Sequence, residues 1–255
     1  MIQEIQAQLS TLEHQEQITV LFAAESGSRA WGFASPDSDW DVRFIYVRPP
    51  LHYLTLDPQR DTIDKFLPND IDLAGWDLPK ALFLFRKSNP SLYEWLASPH
   101  IYMQNNQFIT ELSSLIPKYQ SLSAGLYHYR SMAKTNYHKF VTGEVINYKK
   151  YLYCLRPILA CQFIERNQVW PPMLFSDLVQ DSDLPATINE AIAELLSIKT
   201  TSNEFQSGPV NPILHSYVTA ELERLMTLNL NQTTVPESQP LLDLLRSTAL
   251  RLNPW

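Results

Sequence analysis

Residues 18–47, ITVLFAAESGSRAWGFASPDSDWDVRFIYV, decide how this chain folds. The run 18–24 is rich in β-branched and aromatic residues and reads as a buried strand, closing at Glu25-Ser26-Gly27-Ser28. A short helix is expected over about 28–32. The turn-rich Ser35-Pro36-Asp37-Ser38 then leads into 39–47, which alternates as a second strand should. Successive strand residues point to opposite faces, so Asp39, Asp41 and Arg43 share a face with Ile45 and Val47. Trp40, Val42, Phe44 and Tyr46 make the other face apolar.

Upstream, Ile2, Ile5, Leu9 and Leu12 form the stripe of an amphipathic helix that should pack on the sheet. Downstream, short strands over about 61–66 and 70–76, separated by Leu67-Pro68-Asn69, suit a hairpin. From there the pattern turns helical. Asp77 can cap a helix through LPKALFLFRK, and Asn89-Pro90 supplies a cap followed by proline at the first helical position. Further helices are expected near 105–115, 121–142, 145–168, 186–199, 211–230 and 239–251. Strands with early helices, followed by helices only, predict an α+β domain with a helical domain behind it. The division falls near Pro117, giving domains 1–117 and 118–255.

The chain has 255 residues, enough for one large or two small domains, and its 45% apolar and 18% charged content excludes general disorder. No apolar run approaches the roughly 20 residues that span a membrane. Six glycines against 18 prolines exclude collagen and glycine-rich linkers, and such scarcity invites a reason for each glycine. The N-terminus has no basic start followed by an apolar core, so no secretory signal is read and a cytoplasmic location is the default expectation. Cys154 and Cys161 are seven apart on one expected helix, too far for a disulfide, and are expected to be buried thiols.

The net charge of −7 argues against a general nucleic-acid coat protein, but it hides a segregation. Residues 1–117 hold 8 basic and 15 acidic side chains, residues 118–166 hold 8 and 2, and residues 167–255 hold 4 and 10. A basic middle between acidic parts is either a phosphate-binding wall or a solvated face.

Asp39 and Asp41 on one strand face lie about 6.5–7 Å apart at their Cα atoms. Anions that close repel unless a cation lies between them, and Mg²⁺ in phosphate sites is commonly held by one or two carboxylates. Asp72, on a neighbouring expected strand, offers a third. A lone D-x-D recurs by chance, so the pair alone decides little. Arg43, on the same face, is either the structural neutraliser of the carboxylates or a phosphate ligand. Gly27-Ser28 stands where a strand meets a short helix: backbone can approach a phosphate there, and the Ser28 hydroxyl can donate to it.

Taken together, Gly27-Ser28, ten intervening residues, Asp39-x-Asp41 and a later strand bearing Asp72 resemble the signature of the DNA polymerase beta superfamily of nucleotidyltransferases. ESGSRAWGFASPDSDWDVRFIYVRP, IDLAGWDLPKAL, RKSNPSLYEWLASP, KKYLYCLRPILACQFIE and PPMLFSDL are similar to its predicted RNA-repair-pathway, RNA-ligase-associated branch. The resemblance covers roughly residues 18–180. It implies a small mixed-sheet, polymerase beta-like nucleotidyltransferase domain followed by a helical domain that contributes basic residues to the cleft.

The implied activity is transfer of a nucleoside monophosphate from a nucleoside triphosphate to an acceptor hydroxyl, with RNA among the candidate acceptors and pyrophosphate released. By the same resemblance Asp39, Asp41 and Asp72 would be the catalytic carboxylates and would hold two Mg²⁺ or Mn²⁺ ions, which clamp the attacking and leaving oxygens. Gly27 and Ser28 would hold the β- and γ-phosphates. Two other readings stay open: a non-catalytic nucleotide-binding or interaction module, and a protein-modifying nucleotidyltransferase.

Lys149 and Arg156 lie at the edge of the apolar stripe of the helix expected over 145–168, and cations on so apolar a helix need anionic partners. Given the resemblance, the triphosphate is favoured, with a structural ion pair as the alternative. Arg130, Lys134 and His138 form a basic stripe suited to an acceptor's phosphates or to solvent. Trp31 and Trp76 suit core packing better than base stacking. No zinc spacing and no Ser-His-Asp set is legible.

Overall fold

The computed structural model describes residues 1–57, 59–142, 145–201, 207–209, 211–228 and 234–252. The chain divides into two compact units, 1–27 with 39–120 and 234–255, and 28–38 with 121–233. It therefore crosses between units more than once, where the sequence suggested a single boundary near Pro117.

The first unit is built on five strands: β1 (Thr19–Glu25), β2 (Trp40–Val47), β3 (Thr62–Leu67), β4 (Ile71–Asp77) and β5 (Ile101–Gln104), in the order β3-β4-β2-β1-β5. β2 and β4 run parallel and the other neighbours antiparallel, so the sheet is mixed. β3 and β4 form the expected hairpin. Helix α1 (Ile2–Glu16) buries Ile5, Leu9 and Leu12 in one cluster with Val20, Val42, Phe44, Tyr46 and Leu73. Ile2, the first residue of the expected stripe, is exposed.

Ile45 and Val47, one position out of phase, are also buried. The short helix expected over about 28–32 is α2 (Gly27–Ala30), and the side bearing Ile45 and Val47 is covered by α3 (Leu78–Arg86), α4 (Pro90–Leu96) and α5 (Asn106–Tyr119), which contact β1, β2 and β4. The expected caps are present: Asp77 accepts from the Leu78 amide at 2.8 Å and Asn89 from the Leu92 amide at 3.3 Å, each satisfying a helix-start donor. Strand β5 had no legible signal, since of its four residues only Tyr102 is buried. The last helix of the chain, over 239–252, contacts α3 and α5. Lys118 pairs with Glu237 at 2.6 Å, and the Tyr119 hydroxyl donates to the Glu237 carbonyl at 2.8 Å.

The second unit is helical. Helices α6 (Leu122–Phe140), α7 (Tyr148–Asn167), α8 (Phe175–Asp181), α9 (Ala186–Thr201) and α10 (Pro212–Thr227) bury Tyr129, Leu155, Ile158, Ile192 and Val218 in one core with Phe33. Two short strands, β6 (Val145–Asn147) and β7 (Ser207–Pro209), pair antiparallel. A helix was expected from 145, but it begins at Tyr148, because the Asn147 side chain accepts from the Lys150 amide at 3.0 Å and so caps it. A Cβ on Gly208 would stand 2.1 Å from the Tyr148 hydroxyl, so the position has no room for a side chain as the strands stand. Gly143 and Glu144, and the last two positions of the helix expected over 211–230, lie outside the described residues.

Candidate active site

The end of β1 fixes the start of β2. The Ser26 amide donates to the Asp41 carbonyl at 2.8 Å, and the Asp41 amide donates to Glu25 Oε1 at 3.0 Å. Glu25 is 1% exposed; its other carboxylate oxygen accepts from the Tyr102 hydroxyl, and its carbonyl accepts from Ser98 Oγ at 2.6 Å. The sequence offered Glu25 no role. Here its carboxylate holds the backbone of Asp41, a task visible only once β5 brings Tyr102 alongside.

Gly27 follows at φ +61°, where L side chains are strained, and a Cβ on it would lie 2.0 Å from Asp41 Oδ2. Asp39 is half-buried just before β2, and the Trp40 amide donates to the Asp70 carbonyl at 2.8 Å. This bond joins the Asp39-x-Asp41 segment to the start of β4.

Asp41 and Asp72 are register partners on the parallel strands β2 and β4. Arg43 joins them: its Nη2 lies 2.7 Å from Asp41 Oδ1 and 2.8 Å from Asp72 Oδ2, and its Nη1 donates to the Asp72 carbonyl at 2.9 Å. Of the two readings the sequence left for Arg43, this arrangement is that of the neutraliser. Both pairs are partly shielded, with side-chain exposures of 18% for Arg43, 22% for Asp41 and 35% for Asp72.

The oxygen donors fit a hard divalent cation in their chemistry, and Asp41 and Asp72 already share one cationic atom. Among the described residues, no group of three or more His, Cys, Asp or Glu is gathered closely enough to hold a metal ion. Asp39, Asp41 and Asp72 thus share a sheet end without converging on one point.

The remaining expected residues lie in the helical unit. Ser28 is 2% exposed, and its carbonyl accepts from the Phe33 amide at 3.0 Å. Arg29, whose role was not legible, donates to the Ser38 carbonyl at 2.6 Å. Arg156 is 2% exposed; it donates to the Met173 carbonyl at 3.1 Å and stacks 4.6 Å from the centre of the Trp31 ring. A backbone carbonyl and an indole face are thus among the partners that let a cation sit on so apolar a helix.

Lys149 is half-buried, with its Nζ 5.7 Å from the centre of the Tyr153 ring. Arg130, expected in a phosphate-facing stripe, donates to the Leu225 and Leu228 carbonyls at 3.3 and 3.0 Å, satisfying the end of α10. Trp31 packs edge-on against Tyr153, and in the first unit the Trp76 ring centre is 3.9 Å from that of Trp95. Lys199 had no motif around it. It is 1% exposed and donates to Ser35 Oγ and Ser38 Oγ, which are 2.9 Å apart.

A mixed sheet with Gly27-Ser28 opening a short helix after β1 and in-register carboxylates on β2 and β4 is the arrangement of a nucleotidyltransferase-like protein. The chain belongs to the RNA repair pathway DNA polymerase beta family (RlaP), which matches residues 1–247. It is 38% identical over 226 residues to the uncharacterized protein YcgL of Bacillus subtilis (strain 168), covering 89% of this chain and 87% of that one. A crystal structure of a nucleotidyltransferase-like protein from Exiguobacterium sibiricum 255-15 aligns over 96% of this chain and 76% of that one, at 13% identity and a TM-score of 0.31. Among the described residues, no helix is long and apolar enough to cross a membrane.

Proposed function

We propose that the protein is a divalent-metal-dependent nucleotidyltransferase that moves a nucleoside monophosphate from a nucleoside triphosphate to an acceptor hydroxyl and releases pyrophosphate. The observation that carries this reading is the in-register pair Asp41 and Asp72, with Gly27 packed against the first carboxylate. Asp39, Asp41 and Asp72, which do not converge in the structure, would have to draw together to hold the Mg²⁺ or Mn²⁺ ions, and the metal would stabilise charge on the attacking and leaving oxygens.

The chain's own residues supply position. Glu25 and Ser26 fix the Asp41 backbone, Gly27 leaves room for the Asp41 carboxylate, and β4 carries Asp72 to the same level. Gly27 and Ser28 as phosphate contacts belong to the same proposal, as does an RNA acceptor. RNA is favoured over a small hydroxyl compound by the family's description alone.

The test is incubation of the purified protein with each α-labelled nucleoside triphosphate, Mg²⁺ or Mn²⁺, and RNA or protein acceptors. Metal-dependent label transfer with pyrophosphate release is expected, and loss of both in Asp39→Ala plus Asp41→Ala. Release that survives the double substitution overturns the metal assignment. An RNA acceptor further predicts binding that weakens steeply with salt as counterions are released.

A further inference from the structure

We propose that Arg43 is the resident counter-ion of the carboxylate pair and that a divalent ion must displace its guanidinium to bind Asp41 and Asp72. The inference rests on the metal site proposed above and adds a competition within it. Asp41 and Asp72 sit opposite each other on adjacent strands, about 4.8 Å apart in backbone. Two partly shielded anions at that spacing repel, and the sheet would be strained at this point without a cation between them. Arg43, two residues beyond Asp41 and on the same strand face, supplies that cation.

The contact is made by one atom. Nη2 bonds both Asp41 Oδ1 and Asp72 Oδ2, while Nη1 is held by the Asp72 carbonyl at 2.9 Å and the Val42 carbonyl at 3.3 Å. A Mg²⁺ or Mn²⁺ ion bonded to these same oxygens would stand about 2.1 Å from each. Since Nη2 is 2.7 Å from one of them, the ion could be no further than roughly 4.8 Å from Nη2 from any direction. A double charge that close to a guanidinium in a partly shielded site is strongly repelled, so the two cations are alternatives. The guanidinium keeps carbonyl partners on β4 and β2, so it can release the carboxylates without entering solvent entirely.

In the absence of nucleotide one of the two negative charges is therefore offset, and metal affinity is reduced by the cost of moving Arg43. Mn²⁺ binding to the full-length protein without nucleotide, followed by the electron paramagnetic resonance of free Mn²⁺, tests this. Asp41→Asn serves to define binding at the site. Arg43→Gln is expected to bind Mn²⁺ about tenfold more tightly than the wild-type protein, with Arg43→Lys between the two. Without metal, Arg43→Gln is expected to melt at a lower temperature than wild type, and Mn²⁺ to recover most of the loss.

Equal or weaker binding in both Arg43 variants overturns the competition while leaving the metal site standing. Absence of any binding that depends on Asp41, in the wild-type protein and in both variants, overturns the metal site and the inference with it. Should Arg43→Gln fail to fold, Arg43→Lys decides alone: tighter binding than wild type supports the competition, and unchanged or weaker binding overturns it.

Discussion

The Asp41 carboxylate occupies the place a side chain on Gly27 would take: a Cβ on Gly27 would stand 2.0 Å from Asp41 Oδ2. The position is constrained a second time by φ +61°. Gly27→Ala therefore meets strain in the backbone and a collision at once. The collision can be relieved only by turning the Asp41 side chain, which would break its contact with Arg43. A loss of about 1–3 kcal/mol in stability is expected, together with near-complete loss of nucleotidyl transfer. Thermal unfolding and the pyrophosphate assay check the two parts separately. A fully active Gly27→Ala protein would show that Asp41 does not need its observed orientation.

Glu25 acts on the same carboxylate from behind, through the backbone. Its Oε1 accepts the Asp41 amide and its other oxygen accepts the Tyr102 hydroxyl, all in a site closed to solvent. In Glu25→Gln one oxygen is replaced by an NH2 donor, so either the Tyr102 hydroxyl or the Asp41 amide loses its acceptor and must reorganise. Displacing a catalytic group by a fraction of an ångström costs rate rather than binding, so kcat should fall by roughly tenfold with little change in the KM for the nucleotide. A shift confined to KM would assign Glu25 to nucleotide binding instead.

The parts of the fold written in local pattern were legible in the sequence, and the parts written in long-range contacts were not. The alternation of 39–47 placed Asp41 and Arg43 on one face, and Asp77 and Asn89 announced their helices, because each signal lies within a few residues of its effect. Strand β5 is four residues long and carries one buried side chain, too little for a period to show. The Asn147 cap moved a helix start by three residues, since a single hydrogen bond to the Lys150 amide outweighs an apolar stripe that continues through it. For the candidate site, Asp39, Asp41, Asp72, Gly27 and Ser28 were visible as a spaced motif. The roles of Glu25 and Lys199 were not, because Tyr102 is 77 residues from the first and Ser35 is 164 residues from the second.

Lys199 gives the helical unit a prediction of its own. Its ammonium donates to Ser35 and Ser38 at 1% exposure, on a helix otherwise known from its apolar residues Ile188, Ile192 and Leu195. Lys199→Met keeps most of the volume and removes the donor, so the hydroxyls lose a charge-assisted partner. A destabilisation of about 1–3 kcal/mol is expected from denaturant unfolding. An unchanged or higher midpoint would mean that burying the ammonium costs as much as its hydrogen bonds return.

Cys154 and Cys161 are both free and buried on α7. Removal from water disfavours the thiolate, pushing Cys154 up to about 12 and raising Cys161 as well. Since the thiolate is the nucleophile, neither should react with iodoacetamide at pH 8 in the native protein over a time that labels both after denaturation. Mass spectrometry of the intact protein reads the result. Native-state labelling at either position would require α7 to open on that timescale.

Asp77 carries the pH dependence that can be worked out in sign. It is 4% exposed, caps α3 through the Leu78 amide, and accepts from the Tyr53 hydroxyl at 2.6 Å. Burial raises its pKa above the ordinary value of 3.8 and outweighs the hydrogen bonds from Tyr53 and Leu78 and the attraction of Arg48, which lower it. A carboxyl whose folded pKa is raised favours folding most when protonated. Its contribution is complete below the unfolded pKa and is lost as pH rises through the folded one. Asp77→Asn keeps an acceptor for both donors and cannot ionise. Below about pH 4 the variant and the wild-type protein should therefore melt alike. As pH rises through the raised folded pKa the variant should become the more stable, and the difference should then level off. Melting curves over pH 4–8 decide it, and a wild-type protein that stays ahead at pH 7 would show that the ionised cap is worth more than its burial costs.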